Sequence, residues 1–282
     1  MNYILLAATI LGVTAQGIVS KQYSLKAECQ NSMMFSAVSA FFAMIFFVIC
    51  GVGSFNLNPD VVPYSIAFGV FYCMALFGGL NAIRTGPLSI SVLVNQFGLI
   101  IPTLYGIIWL GDDIGACGYI GIVLLFTALV FVNLKNEKLQ FSRSWFIWLA
   151  VEFVGNGMCS TVQKMQQLKF GGAYKNEYMI IALLFVTLAS LVSGLYKNKN
   201  IGKSITTALR YAPIQGVANG AVNLFVMLLT GLLPTAILFP SISAGGMAIT
   251  FAIAILFYKE KLSKVQILGY MFGIISVVLL NI

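Results

Sequence analysis

The chain has 282 residues, 60% hydrophobic and 9% charged, with a mean hydropathy of +0.95; apolar runs of membrane-spanning length recur along it, which excludes an ordinary water-soluble domain. It contains no histidine, so imidazole metal ligation and Ser-His or Cys-His nucleophile pairs are excluded. The net charge of +8 reads as loop charge orienting a membrane protein rather than as a nucleic-acid surface, and the scattered cysteines show neither zinc spacing nor a disulfide framework.

Ten apolar runs are predicted to be helical spans, at roughly 3–20, 33–52, 62–83, 88–110, 114–134, 145–163, 178–196, 211–230, 232–258 and 265–282. No basic segment precedes the first run, so it reads as a span and not as a removed signal peptide. It carries Thr9 and Gln16; the third run carries Tyr72; the fourth carries Asn95 and Gln96. Pro87 opens the fourth run, and Pro102 lies inside it, where it is expected to bend or break the helix. A polar linker at 135–144 separates the fifth and sixth runs.

The sixth run holds the sharpest signal. Glu152 sits near its middle, whereas the other acidic residues fall in gaps or at run ends. A carboxylate at membrane depth is costly and marks a functional site by default. Asn156, Cys159, Ser160 and Gln163 follow at helical spacings and share its face. Two readings stand: Glu152 holds a cationic substrate group or a proton, or it is a structural acid bonded to Asn156 or a neighbouring amide. Lys164 closes the same run, as Lys21 closes the first, and reads as a charge complementing a helix C-terminus or as a clamp on an anion.

The connection 197–210 contains Gly202-Lys203-Ser204, but Lys197 stands where a phosphate-binding loop needs its first glycine. The eighth run presents Gln215, Asn219 and Asn223 at steps of four, a single polar stripe. Such amides act as interhelical glue or line a wet cavity, and in either role they face the bundle interior. Pro240 lies inside the ninth run, and Gly216/Gly220 and Gly269/Gly273 have the spacing that permits close helix approach.

The chain repeats itself across the linker. Pro87 and Pro234 open the fourth and ninth runs; Leu110-Gly111-Asp112-Asp113 and Phe257-Tyr258-Lys259-Glu260 close them. Gly118-Tyr119-Ile120-Gly121 answers Gly269-Tyr270-Met271-Phe272-Gly273. The fold class expected is therefore an all-α polytopic membrane protein of ten transmembrane helices, arranged as two inverted five-helix repeats at 1–134 and 145–282. Basic residues concentrate in the loops after odd-numbered runs, which puts both termini outside.

These paired features, and above all the closing hairpin from Phe257 to Ile282, resemble the EamA-like branch of the drug/metabolite transporter superfamily. The resemblance implies alternating access in the cytoplasmic membrane, with a small polar organic solute (an amino acid, amine or related metabolite) moving outward. The substrate-binding or coupling residues expected are Glu152, Asn156, Thr9, Gln16, Tyr72, Asn95, Gln96, Gln215, Asn219 and Asn223. No enzymatic activity, cofactor, metal or nucleic-acid partner is expected; lipid is the solvent, and Gly269/Gly273 offers a face for a homodimer. The alternatives are a carrier of sugars or phosphorylated metabolites, and a non-transporting accessory or lipid-flipping protein.

Overall fold

The computed structural model describes residues 2–26, 31–56, 58–85, 88–133, 142–196, 201–256 and 263–280. Pro87, most of the linker and the segment 257–262 lie outside the described residues. All regular structure among those described is helical: α1 (Asn2–Lys26), α2 (Ser32–Cys50), α3 (Val62–Thr85), α4 (Leu88–Phe97), α5 (Ile100–Trp109), α6 (Gly115–Asn133), α7 (Arg143–Lys169), α8 (Lys175–Tyr196), α9 (Ile201–Leu209), α10 (Ala212–Thr230), α11 (Thr235–Leu256) and α12 (Lys264–Leu280). Among the described residues, seven helices (α1, α2, α3, α6, α7, α8 and α10) are long and apolar enough to cross a bilayer. The chain is a multi-pass membrane protein. Helix α8 shows the pattern: Leu184, Leu188, Val192 and Leu195 are exposed at steps of three and four, and Tyr178, Met179, Ala182 and Val186 are fully buried.

Two readings of the sequence change. The fourth predicted span is two helices, α4 and α5, separated at Gly98 and Leu99. The connection 197–210 holds a short helix, α9, whose Ala208 is packed among Tyr23, Phe35 and Ala212. Pro240, by contrast, does not break α11, which runs from Thr235 to Leu256.

The chain forms two compact units, and each draws on both sequence halves: residues 1–73 with 162–231, and residues 74–161 with 232–282. In the first unit, α2 packs on α8 and α10, and α1 packs on α10. Gly216 and Gly220 make the α2–α10 approach possible, since a Cβ on either would collide with Ser39, Phe42 or Phe46. Asn31 caps α2: its Oδ1 accepts from Met34 N at 3.1 Å, and its Nδ2 donates to Gly194 O at 3.0 Å, which ties α2 to α8. Helix α7 ends within this unit in a glycine turn. Gly171 and Gly172 have φ of 58° and 81°, and Gly172 N donates to Gln167 O at 3.0 Å.

In the second unit, α6 packs on α12, and α11 packs on α5 and α12. Leu125, Ala128, Leu129, Ala244 and Tyr270 form one of its apolar clusters. A Cβ on Gly269 would lie 2.9 Å from Val132 N, so this glycine is occupied by α6 of its own chain. Asp112 follows α5 and its Oδ2 accepts from Ala236 N at 3.0 Å, placing a carboxylate at the N-terminus of α11.

Candidate functional site

Among the described residues, each unit contains a set of predicted polar side chains bonded to one another among apolar helices. In the second unit the set forms around Glu152 on α7. The residue is 3% exposed, and its Oε1 accepts from Asn95 Nδ2 at 2.8 Å. Its Oε2 is buried and has no hydrogen-bond partner among the described residues. One helical turn on, Asn156 Nδ2 donates to the backbone carbonyl of Asn95 at 2.6 Å.

That carbonyl is available because the helix stops there. In an unbroken helix Asn95 O would take the N–H of Leu99. Here Leu99 N donates to Gln96 O at 3.3 Å, and Gly98 N is shared between Val94 O and Asn95 O at 3.1 Å each. Pro102 has no N–H to offer Gly98 O, so Ile101 N donates to it at 3.1 Å instead. A chain interruption amid apolar helices must satisfy its freed groups from neighbouring side chains; the amide of Asn156 does so.

Glycines bring the backbones close enough for this. A Cβ on Gly78 would lie 2.6 Å from Glu152 N, and one on Gly79 would lie 2.7 Å from Glu152 Oε1. Across the break, a Cβ on Gly98 would lie 3.0 Å from Asn156 Nδ2, and one on Gly157 would lie 2.6 Å from Gly98 O. A further bond, from Trp145 Nε1 to Ser91 Oγ at 3.3 Å, joins α7 to α4.

The set in the first unit carries no charge. Asn219 Nδ2 donates to Gln16 Oε1 at 3.2 Å and reaches Tyr72 OH at 3.5 Å. Asn223 Nδ2 donates to Asn219 O at 2.9 Å and to Asn219 Oδ1 at 3.2 Å. Gln163 Nε2 donates to Asn223 O at 3.2 Å. Gln215, one turn before Asn219 on α10, buries its Oε1 without a hydrogen-bond partner among the described residues. Close by in sequence to Gln163, Lys164 is 6% exposed, and its Nζ donates to Thr230 O at 2.5 Å, at the end of α10. It complements a helix C-terminus, but from a buried position rather than by reaching for water.

The predicted residues therefore divide. Glu152, Asn95 and Asn156 form one set; Gln16, Tyr72, Asn219 and Asn223 form the other. Thr9 joins neither, since it is fully buried and its hydroxyl donates to Leu5 O on its own helix at 2.7 Å. Gln96 is half-buried on α4, and its carbonyl helps close the turn at the break. Gln163, expected on the face of Glu152, has its bond in the amide set. The sequence reading passed over Gly78 and Gly79, although two adjacent glycines inside an apolar run were a visible signal of close backbone approach. Among the described residues no three His, Cys, Asp or Glu side chains gather as a metal site would require.

No protein-family model matches the chain, and no curated protein matches it. A solved structure described only as "Crystal structure of protein" superposes on it with a TM-score of 0.76, covering 98% of each chain at 12% identity. At that identity the likeness is one of fold.

Proposed function

We propose that the protein is a secondary transporter of the cytoplasmic membrane that moves a small polar organic solute, such as an amino acid or amine, outward by alternating access. In this reading the shorter apolar helices complete ten spans, which form two inverted five-helix repeats similar to those of EamA-like drug/metabolite transporters. One observation carries the proposal: the interruption between α4 and α5 meets a buried carboxyl and an amide from α7. Discontinuous helices that free backbone groups beside a buried charge are the way secondary transporters build ion and solute sites, whereas a purely structural bundle has no use for either expense. Glu152 takes part in binding or coupling, and the amide set around Asn219 supplies neutral hydrogen-bonding groups for a solute.

The test is the thermal stability of the purified protein with a panel of amino acids, amines and sugars. A ligand bound only by the folded state at ~100 times its Kd stabilises by about 2.7 kcal/mol. The expected outcome is a rise with an amino acid or amine that is lost in Asn219→Ala, followed by counterflow of that compound in proteoliposomes. The uncharged character of the Gln16–Tyr72–Asn219–Asn223 set favours one second reading, a carrier of sugars. Stabilisation by sugars alone would select it. No stabilisation by any compound, with no counterflow, would sink the transport reading.

A further inference from the structure

We infer that Glu152 binds a proton, and binds neither the ammonium group of a solute nor a metal cation, so that it acts as a coupling site separate from solute recognition. The inference rests on the transporter reading for its purpose, but its argument is local.

The first part of the argument is room. Oε1 is already engaged by Asn95 and lies 2.7 Å from where a Gly79 Cβ would be; the backbone N of Glu152 lies 2.6 Å from where a Gly78 Cβ would be. The side of the carboxyl toward α3 does not admit one carbon atom, so no alkylammonium reaches it there. Oε2 is buried from solvent as well.

The second part is the chemistry of the neighbours. A metal cation needs several free oxygen ligands. The polar side-chain atom bonded to Oε1, Asn95 Nδ2, is a donor pointing at the carboxyl. The carbonyl at the helix break, Asn95 O, already accepts from Asn156 Nδ2 at 2.6 Å and from Gly98 N at 3.1 Å. Its lone pairs are spent on donors that would have to be displaced.

The third part is charge. Among the described residues, the groups seen against Glu152 are Gly78 and Gly79 on α3 and Asn95 on α4, and none of these is ionisable. A buried carboxylate oxygen with neither a cation nor a donor is severely penalised. A proton removes the charge and needs no space. Exchange of that proton requires the helices around the α4–α5 break to part, which links it to a conformational step.

The experiment is infrared difference spectroscopy on the protein in lipid nanodiscs, from about pH 5 to about pH 9. The carbonyl band of a protonated carboxyl should vanish on alkalinisation, be missing in Glu152→Gln and be displaced in frequency in Glu152→Asp. Replacing N-methylglucamine by sodium, or adding ethanolamine or putrescine, should leave its titration unmoved. Loss of the band at constant pH on adding sodium or either amine would overturn the inference in favour of a cation or amine site. So would a band absent at every pH, or one that persists unchanged in both variants. If Glu152→Gln does not fold, the displacement in Glu152→Asp carries the assignment alone. No transport is read here. A band that titrates in a protein that moves no solute would sink the transporter reading, and the coupling role with it, and leave the proton site standing.

Discussion

Glu152 and Asn219 both sit on apolar helices, and both are hydrogen-bonded to side chains from other helices, yet the two are held in opposite ways. Around Glu152 the contacts are short, one of them ends on backbone, and glycines let whole helices press against the carboxyl. Around Asn219 amide meets amide at 3.2 Å and phenol at 3.5 Å, and the backbone-directed bond, from Asn223 Nδ2 to Asn219 O at 2.9 Å, lies within an unbroken helix, without a charge and without a freed carbonyl. The difference follows from desolvation. A buried charge costs several kcal/mol and must be gripped on every side or neutralised; a buried amide costs far less and tolerates exchange of partners. A tightly packed set suits a proton, and a set of exchangeable amides suits a solute that brings its own hydrogen bonds.

The sharpest way to break this comparison is Gly78→Ala. Its methyl group would press on the backbone of α7, which has no rotamer to yield, so a loss of about 3 kcal/mol or more is expected in a reversible unfolding assay in detergent. A loss below about 1 kcal/mol would show that the grip on Glu152 is loose. Next comes Lys164→Met, which keeps the stem and removes the charge and the donor to Thr230 O. A loss of about 2 kcal/mol is expected, since a buried acceptor loses its charged partner. Asn156→Leu should cost about 1 kcal/mol by leaving Asn95 O short of a donor. Asn219→Leu should cost roughly 0.5 kcal/mol, because only bonds between neutral side chains within a membrane bundle are lost, while solute binding measured by titration calorimetry falls by tenfold or more, roughly the worth of 1.4 kcal/mol. Equal stability losses in these two variants would erase the distinction between the sets. Gly17→Ala is the mildest: it follows Gln16 in α1 and has nothing within 4 Å of its added methyl. It should stabilise by about 0.5 kcal/mol through helix propensity, the reverse sign of Gly78→Ala.

Much of this arrangement was legible beforehand. Composition places most spans, because lipid demands long apolar helices and little else. Glu152 stands out because charge at depth is rare, and Asn156 because it lies one turn away. Pro102 signalled a defect in the fourth span, but not its place. The chain parts three to four residues upstream, at Gly98, where the proline withholds its N–H, and no sequence rule tells a bend there from a break. Which amide bonds to which depends on helix rotation and crossing, set by contacts such as Gly216 against Ser39 and Phe42. The stripe Gln215, Asn219 and Asn223 does not reveal that Gln163 joins it. Helix α9 escaped because Ile201–Leu209 is short, and its Ala208 anchor becomes apolar context only beside Tyr23 and Phe35.

The bond from Asp112 to the first turn of α11 has a consequence for how the protein is made. It joins positions 124 residues apart, so at ribosomal rates of about 5–20 residues per second Asp112 waits roughly 6–25 s for its partner. The first unit ends at Gly231, and the second is closed only by residues 232–282. Biosynthesis thus finishes the neutral amide set while the unit around Glu152 still lacks α11 and α12. A chain stalled after α10 would expose that incomplete unit to the membrane's quality-control proteases, and nascent-chain arrest just before α11 and just after α12 should show protease resistance arriving in two separate stages.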